Sequence, residues 1–131
     1  MKVVLCHGKF DILHIGHVLH LQQAREFGDR LLVSITAGKF IQREGRPVFT
    51  DKERMDMLWS LRVVDFVFLC DEPTGVTAIR TFRPNFYAKG LDYAEKGINE
   101  AETQACLDVR ATIVFTNTQK FSSGALVRYL K

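Results

Sequence analysis

Two histidines three residues apart, His14 and His17, flank Gly16 in the stretch GKFDILHIGHVLHLQQAREFGDRLLVSI, residues 8–35. An apolar run precedes them and a helical pattern follows, so they fall where a strand hands over to a helix. The first turn of a helix carries N–H groups without intrahelical partners and the positive end of the helix dipole, a combination that attracts phosphate. Residues three apart are neighbours on a helix, so the two imidazoles lie near one another around that turn. Gly16 removes a side chain between them and lets a bulky anion approach the backbone; Gly8 does something similar in the preceding loop. Two imidazoles with N–H donors suit a polyphosphate and the charge that grows as one of its bonds breaks. His20 extends the spacing, and His7 is close in sequence. A zinc site is disfavoured, because i and i+6 do not share a helix face and no Cys or carboxylate pattern completes a ligand set. No metal-ligating residue is assigned; His20 is expected to be a solvated helix residue and His7 a loop residue.

The elements that position these residues follow from periodicity. Lys2–Cys6 reads as a buried strand, Ile15–Phe27 as a helix stopped by Gly28, and Leu31–Thr36 as a second strand. Gly38–Thr50 is polar and basic and reads as a loop. A helix capped by Thr50 or Asp51 runs to about Leu61, with Met55, Leu58 and Trp59 expected in the core. Val63–Leu69 is a third strand and Pro73–Phe82 a helix opened by proline. Asn85–Ala88 is a short strand, Lys89–Gly97 a loop and Ile98–Asp108 a helix. Thr112–Phe115 is a last strand, and Ser122–Leu130 a closing helix capped by Ser122 or Ser123. Strand–helix alternation with near-continuous apolar strands predicts an α/β, Rossmann-like single domain over residues 1–131, with a mainly parallel five-stranded sheet covered on both faces. Such sheets bind ligands outside the carboxyl ends of their strands, where the winding reverses.

Composition narrows the function classes. A chain of 131 residues suits one domain. Its net charge of +3 fits an anionic small-molecule ligand, and the absence of a Lys/Arg block argues against a nucleic-acid partner. Three widely spaced cysteines without a CxxC pair predict reduced thiols. No apolar stretch approaches the ~20 residues that span a membrane, and the N-terminal run is too short for a signal peptide, so a cytoplasmic protein without a membrane partner is expected.

The run GKFDILHIGH at residues 8–17, followed by Leu21, Ala24, Gly28 and Asp29, resembles the signature of the HxGH nucleotidyltransferases, and of their cytidylyltransferase branch in particular. That branch includes enzymes acting on glycerol 3-phosphate and the adenylyltransferase domain that makes ADP-heptose. The resemblance continues in Arg62–Val67 (RVVDFV), in Lys89–Tyr93 (KGLDY) and in FSSGALV from Phe121. Residues 116–123 read TNTQKFSS where the cytidylyltransferases usually carry RTEGISTT; the arginine and glutamate are missing and Lys120 supplies the charge instead. This departure moves the chain toward the adenylyl-transferring branch. A class I aminoacyl-tRNA synthetase also carries the string HIGH, but this length leaves no tRNA-binding body and no KMSKS-like string occurs.

The resemblance implies a reaction in which CTP or ATP, bound with Mg²⁺, meets a phosphorylated sugar or polyol such as glycerol 3-phosphate or heptose 1-phosphate and releases pyrophosphate. The acceptor phosphate is already an anion near neutral pH, so no general base is needed; catalysis comes from alignment and charge neutralisation. The roles implied are these. His14 and His17 contact the triphosphate and stabilise the transition state, with Lys39 as a catalytic cation. Lys39, Arg43, Arg46 and Arg62 hold the acceptor side. Gly8, Phe10, Asp11 and Gly16 line the nucleotide site, Lys89, Gly90, Asp92 and Tyr93 approach the base, and Thr116, Ser122 and Ser123 receive the outer phosphates. A homodimer, with Phe40, Trp59 and Phe66 as contributing surfaces, is expected from similar proteins. The competing reading is a non-catalytic nucleotide sensor on the same fold.

Overall fold

The structure, a computed structural model, describes residues 1–117. The segment from 118 onward, with Lys120, Ser122, Ser123 and the expected closing helix, lies outside the described residues.

Five strands form one parallel sheet: β1 (Val3–Gly8), β2 (Arg30–Thr36), β3 (Phe66–Cys70), β4 (Phe86–Gly90) and β5 (Thr112–Thr116), ordered β3-β2-β1-β4-β5. The chain winds outward from β1 through β2 to β3, then returns to the other side of β1 with β4. The winding therefore reverses at β1, and the crevice between the carboxyl ends of β1 and β4 is the expected ligand position.

The period of two along each strand sorts side chains onto two cores. From β1, Val4 and Cys6 join Leu21 and Ala24 of α1 (Ile15–Arg25) and Leu58 of α2 (Asp51–Trp59) on one face. Leu5, with Tyr87 of β4, joins Ala78 and Ile79 of α3 (Val76–Phe82) and Ala105 and Cys106 of α5 (Glu100–Val109) on the other. Both strand faces are apolar because both are covered. All three cysteines are free and buried, and burial pushes their thiols up, to about 12 for Cys6 and about 11 for Cys70 and Cys106, so they behave as small apolar groups.

Several boundaries differ from the sequence-based expectation. The third strand begins at Phe66, because Leu61 to Val64 form a helical turn after α2 (Val64 N–H to the Leu61 carbonyl, 3.2 Å) that delivers Val64 to the core. Asp65 then staples β3 to β2: its N–H donates to the Leu31 carbonyl and its carboxylate accepts from Leu31 N–H. α3 starts at Val76 and is not opened by Pro73, since Glu72 accepts from both the backbone and the hydroxyl of Thr77 and makes residues 72–75 a capping turn. The expected loop at 89–97 is instead the end of β4 followed by a short helix, α4 (Asp92–Lys96). Trp59 is 46% exposed and sits edge-on to Phe66; it lies one residue past Leu58, about 100° round the helix from the core-facing row. Phe40 and Phe66 are likewise exposed. Among the described residues no helix is long and apolar enough to cross a membrane.

Candidate active site

β1 delivers the chain to its carboxyl end at Gly8, and α1 begins seven residues later with His14 as its N-cap. Caps are usually Ser, Thr, Asp or Asn, whose short side chains accept a hydrogen bond from the first turn. Here imidazoles do that work. Nδ1 of His14 accepts from Gly16 N–H at 3.0 Å, and Nδ1 of His17 accepts from His14 N–H at 3.1 Å. A ring nitrogen that accepts carries no proton, so each neutral ring keeps its proton on Nε2. The rings stack with centroids 3.8 Å apart. Burial, then the neighbouring charges of His14 and His20, lowers His17 to about 4. Gly16 is required by this cap: a Cβ there would lie 2.8 Å from His14 Cε1. The space that sequence reasoning gave to an incoming anion is held by the His14 ring itself, and the Gly16 N–H is already taken.

The loop before the helix is fastened from two sides. Phe10, buried and at φ +50°, packs edge-on against His17 with centroids 5.2 Å apart. The buried Asp11 carboxylate accepts from Val48 N–H and Phe49 N–H, both at 2.9 Å, and lies 3.4 Å from Arg46. Burial opposes its ionisation, but those two N–H groups and the Arg46 guanidinium outweigh it and hold Asp11 below the usual carboxylate range. Asp11 therefore clamps the basic segment after β2 to the HxGH loop. Beneath both, the fully buried Arg54 donates to the carbonyls of Lys9 and Thr36 at 2.8 Å each and to Asp51 at 2.6 Å. It ties together the ends of β1, β2 and α2.

A cleft of about 1080 Å³ opens at the carboxyl ends of β1 and β4. All four histidines of the chain line it. His7 belongs to β1, not to a loop; its Nδ1 lies 2.7 Å from Ser34 Oγ and its Nε2 2.9 Å from Thr36 Oγ1. His20 is not a solvated helix residue; its Nδ1 lies 2.5 Å from Thr116 Oγ1 and joins α1 to the end of β5. Burial is the main cause that lowers both rings to about 4. Lys89 also lines the cleft, buried, with its ammonium 4.4 Å from the Tyr93 ring centroid and 4.0 Å from Glu102. The cleft thus offers neutral N–H donors along one wall and cations at Lys9, Arg46 and Lys89. That arrangement can hold and neutralise a polyphosphate.

Most sequence-predicted residues converge here: Gly8, Phe10, Asp11, His14, Gly16, His17, Arg46, Lys89, Gly90, Asp92 and Tyr93 all line the cleft. Thr116 is buried and reaches it through His20. Lys39, Arg43 and Arg62 do not line it. Lys39 stands exposed on the 3₁₀ turn Gly38–Phe40, 2.6 Å from Asp71 at the end of β3. Arg43 is exposed on the tip that bridges back to Arg46, and Arg62 is exposed between α2 and β3. Sequence reasoning missed Lys9, Thr36, Thr74, Asn99 and Glu102 as lining residues, and Arg54 as the support beneath Lys9 and Thr36. Of these only Lys9, inside the GKFD run, carried a local signal.

The family model "Cytidylyltransferase-like" matches residues 5–128. The chain is similar to bifunctional protein HldE of Koribacter versatilis, 39% identical over 77% of this chain and 21% of that protein. It is also 35% identical to HldE of Geobacter sulfurreducens over 99% of this chain and 27% of that protein. The chain therefore spans about a quarter of the length of the curated relatives it matches. Among solved structures, a lipopolysaccharide core biosynthesis protein from Thermoplasma volcanium superposes with a TM-score of 0.73 at 27% identity, covering 93% of this chain and 99% of that one. A fold likeness at 16% identity, TM-score 0.64, reaches Thermotoga maritima TmcAL bound with alpha-thio ATP, over 99% of this chain and 50% of that one. With a family match over nearly its whole length, on a sheet whose winding reverses at β1, the chain belongs to the cytidylyltransferase-like family.

Proposed function

We propose that the cleft transfers a nucleoside monophosphate from CTP or ATP to a phosphorylated sugar or polyol, with release of pyrophosphate. One observation carries this reading: both Nδ1 atoms of His14 and His17 are spent on the backbone, which leaves an Nε2–H donor on each of two residues that line the cleft. Donors held this way need no reorganisation when charge develops on the triphosphate.

In the reaction an oxygen of the acceptor phosphate attacks the α-phosphorus. A new P–O bond forms as the bond from the α-phosphorus to the bridging oxygen of the β-phosphate breaks, and pyrophosphate departs with that electron pair. No proton needs removing from the nucleophile. His14 and His17 stabilise the α- and β-phosphate oxygens, and Lys9, Arg46 and Lys89 neutralise two anions that would otherwise repel. Gly90, Asp92 and Tyr93, which line the cleft, are assigned to the base of the nucleotide. Magnesium enters as part of the nucleotide substrate. The Asp11 carboxylate is already engaged by Arg46, Val48 and Phe49, so it orders the loop and is not assigned to the ion. The HldE relatives and the missing arginine of the terminal motif favour ATP over CTP, and with it a sugar 1-phosphate acceptor.

The test is a thermal-shift panel of CTP, ATP, GTP and UTP with Mg²⁺, followed by pyrophosphate assays with heptose 1-phosphate and glycerol 3-phosphate. Stabilisation by ATP or CTP and pyrophosphate release with one acceptor are expected. Tight nucleotide binding with no release from any acceptor would instead make the domain a sensor.

A further inference from the structure

Glu102, on α5, lines the cleft, yet only 5% of its surface is exposed. A site built for anions gains nothing from a buried negative charge unless that charge holds something else in place. Three groups converge on this carboxylate. The Tyr87 hydroxyl donates to Oε1 at 2.8 Å, Gly75 N–H donates to Oε2 at 2.9 Å, and Lys89 Nζ lies 4.0 Å from Oε1. The turn before α3 is pressed against this network: a Cβ on Gly75 would meet the Tyr87 hydroxyl at 2.9 Å. Backbone therefore fixes Glu102 from one side and a buried tyrosine from the other. Lys89, held in turn, has its ammonium between that carboxylate and the face of Tyr93, 4.4 Å away, where a cation is attracted by the ring.

We propose that Glu102 is a positioning residue for nucleotidyl transfer: it fixes the Lys89 ammonium at the crevice between the carboxyl ends of β1 and β4, where that cation takes a phosphate oxygen of the reacting centre. The proposal rests on the reading of the cleft given above. It separates two effects. A cation held in place stabilises the transition state without reorganising. The Glu102 charge itself, however, opposes the resting binding of any polyphosphate.

Glu102→Gln removes the charge and keeps the shape and an acceptor for Tyr87. With inorganic tripolyphosphate as probe, calorimetry should give an affinity unchanged or up to ~3-fold tighter, while pyrophosphate release from Mg–ATP and a sugar 1-phosphate falls ~10–100-fold in kcat. In a Lys89→Met background the same substitution should change kcat by less than ~3-fold, since its effect runs through the missing ammonium. A kcat within threefold of wild type overturns the proposal. So does a parallel loss of affinity and kcat that persists without Lys89. A second measurement compares two lysines of one sample: ¹³C relaxation of the lysine ε-methylenes in the wild type should show Lys89 ordered and the exposed Lys9 mobile, and Glu102→Gln should bring Lys89 toward the mobility of Lys9. Equal mobility overturns the proposal by itself. A wild-type protein that releases no pyrophosphate overturns the transfer reading, and Lys89 relaxation in the wild type against Glu102→Gln still decides whether Glu102 holds Lys89.

Discussion

The imidazole rings of His14 and His17 stack 3.8 Å apart, and each gives its Nδ1 to a backbone N–H of the turn it sits on. The same bonds that cap the helix also choose the tautomer, so stability and reactivity of this turn are set by one geometry.

The first prediction separates those two contributions. His14→Ser should keep helix stability within ~0.5 kcal/mol, because serine is a good cap. Turnover should nevertheless fall ~10²–10³-fold with the loss of one donor. Urea unfolding and pyrophosphate release measure the two; a stably folded variant with unchanged turnover would show that His14 serves only as a cap. His17→Ala should likewise cut turnover at least ~10²-fold with a folded circular-dichroism spectrum.

Gly16→Ala makes the complementary change. Alanine favours the helix interior by up to ~1 kcal/mol, but its Cβ would stand 2.8 Å from the His14 ring and move it. The variant should therefore melt near the wild-type temperature while losing ~10-fold or more in turnover as the donor shifts. A fully active Gly16→Ala protein would mean that the His14 ring position is unimportant.

The histidines also predict a pH dependence of stability. His7, His17 and His20 sit at about 4 in the fold against an ordinary value of 6.5. Between those values the unfolded chain binds more protons than the folded one, so stability rises with pH there and is lost as pH falls from about 6.5 toward 4. Melting temperature against pH should show this slope, and His7→Asn should flatten it. Turnover should show no ionisation of His17 between about pH 6 and 8, because that ring stays neutral throughout.

Arg54→Met tests the support beneath the site. It leaves two carbonyls and Asp51 without their buried donor, and removing one partner of such a buried network costs about 3–5 kcal/mol. The urea midpoint should fall accordingly. A change below ~1 kcal/mol would show that water replaces the guanidinium.

The strand run Val3–Cys6, the helix over Leu21 and Ala24, and the HxGH turn between them were legible in the sequence, because each rests on local periodicity and on residues that act within one helical turn. The same holds for the parallel sheet, which alternation of strands and helices demands. The structure alone decided which cations reach the cleft. Lys39 and Lys9 look alike along the chain, yet Lys39 turns out to Asp71 and Lys9 lines the cleft. Arg54, an ordinary polar position in an amphipathic pattern, is buried because it meets carbonyls 18 and 45 residues away. Glu102 sits under Lys89 because α5 packs over β4 and β5, and His7 is locked by β2, its parallel neighbour. Local patterning specifies elements and short-range caps; long-range contact, which no spacing encodes, specifies which charges share a cleft.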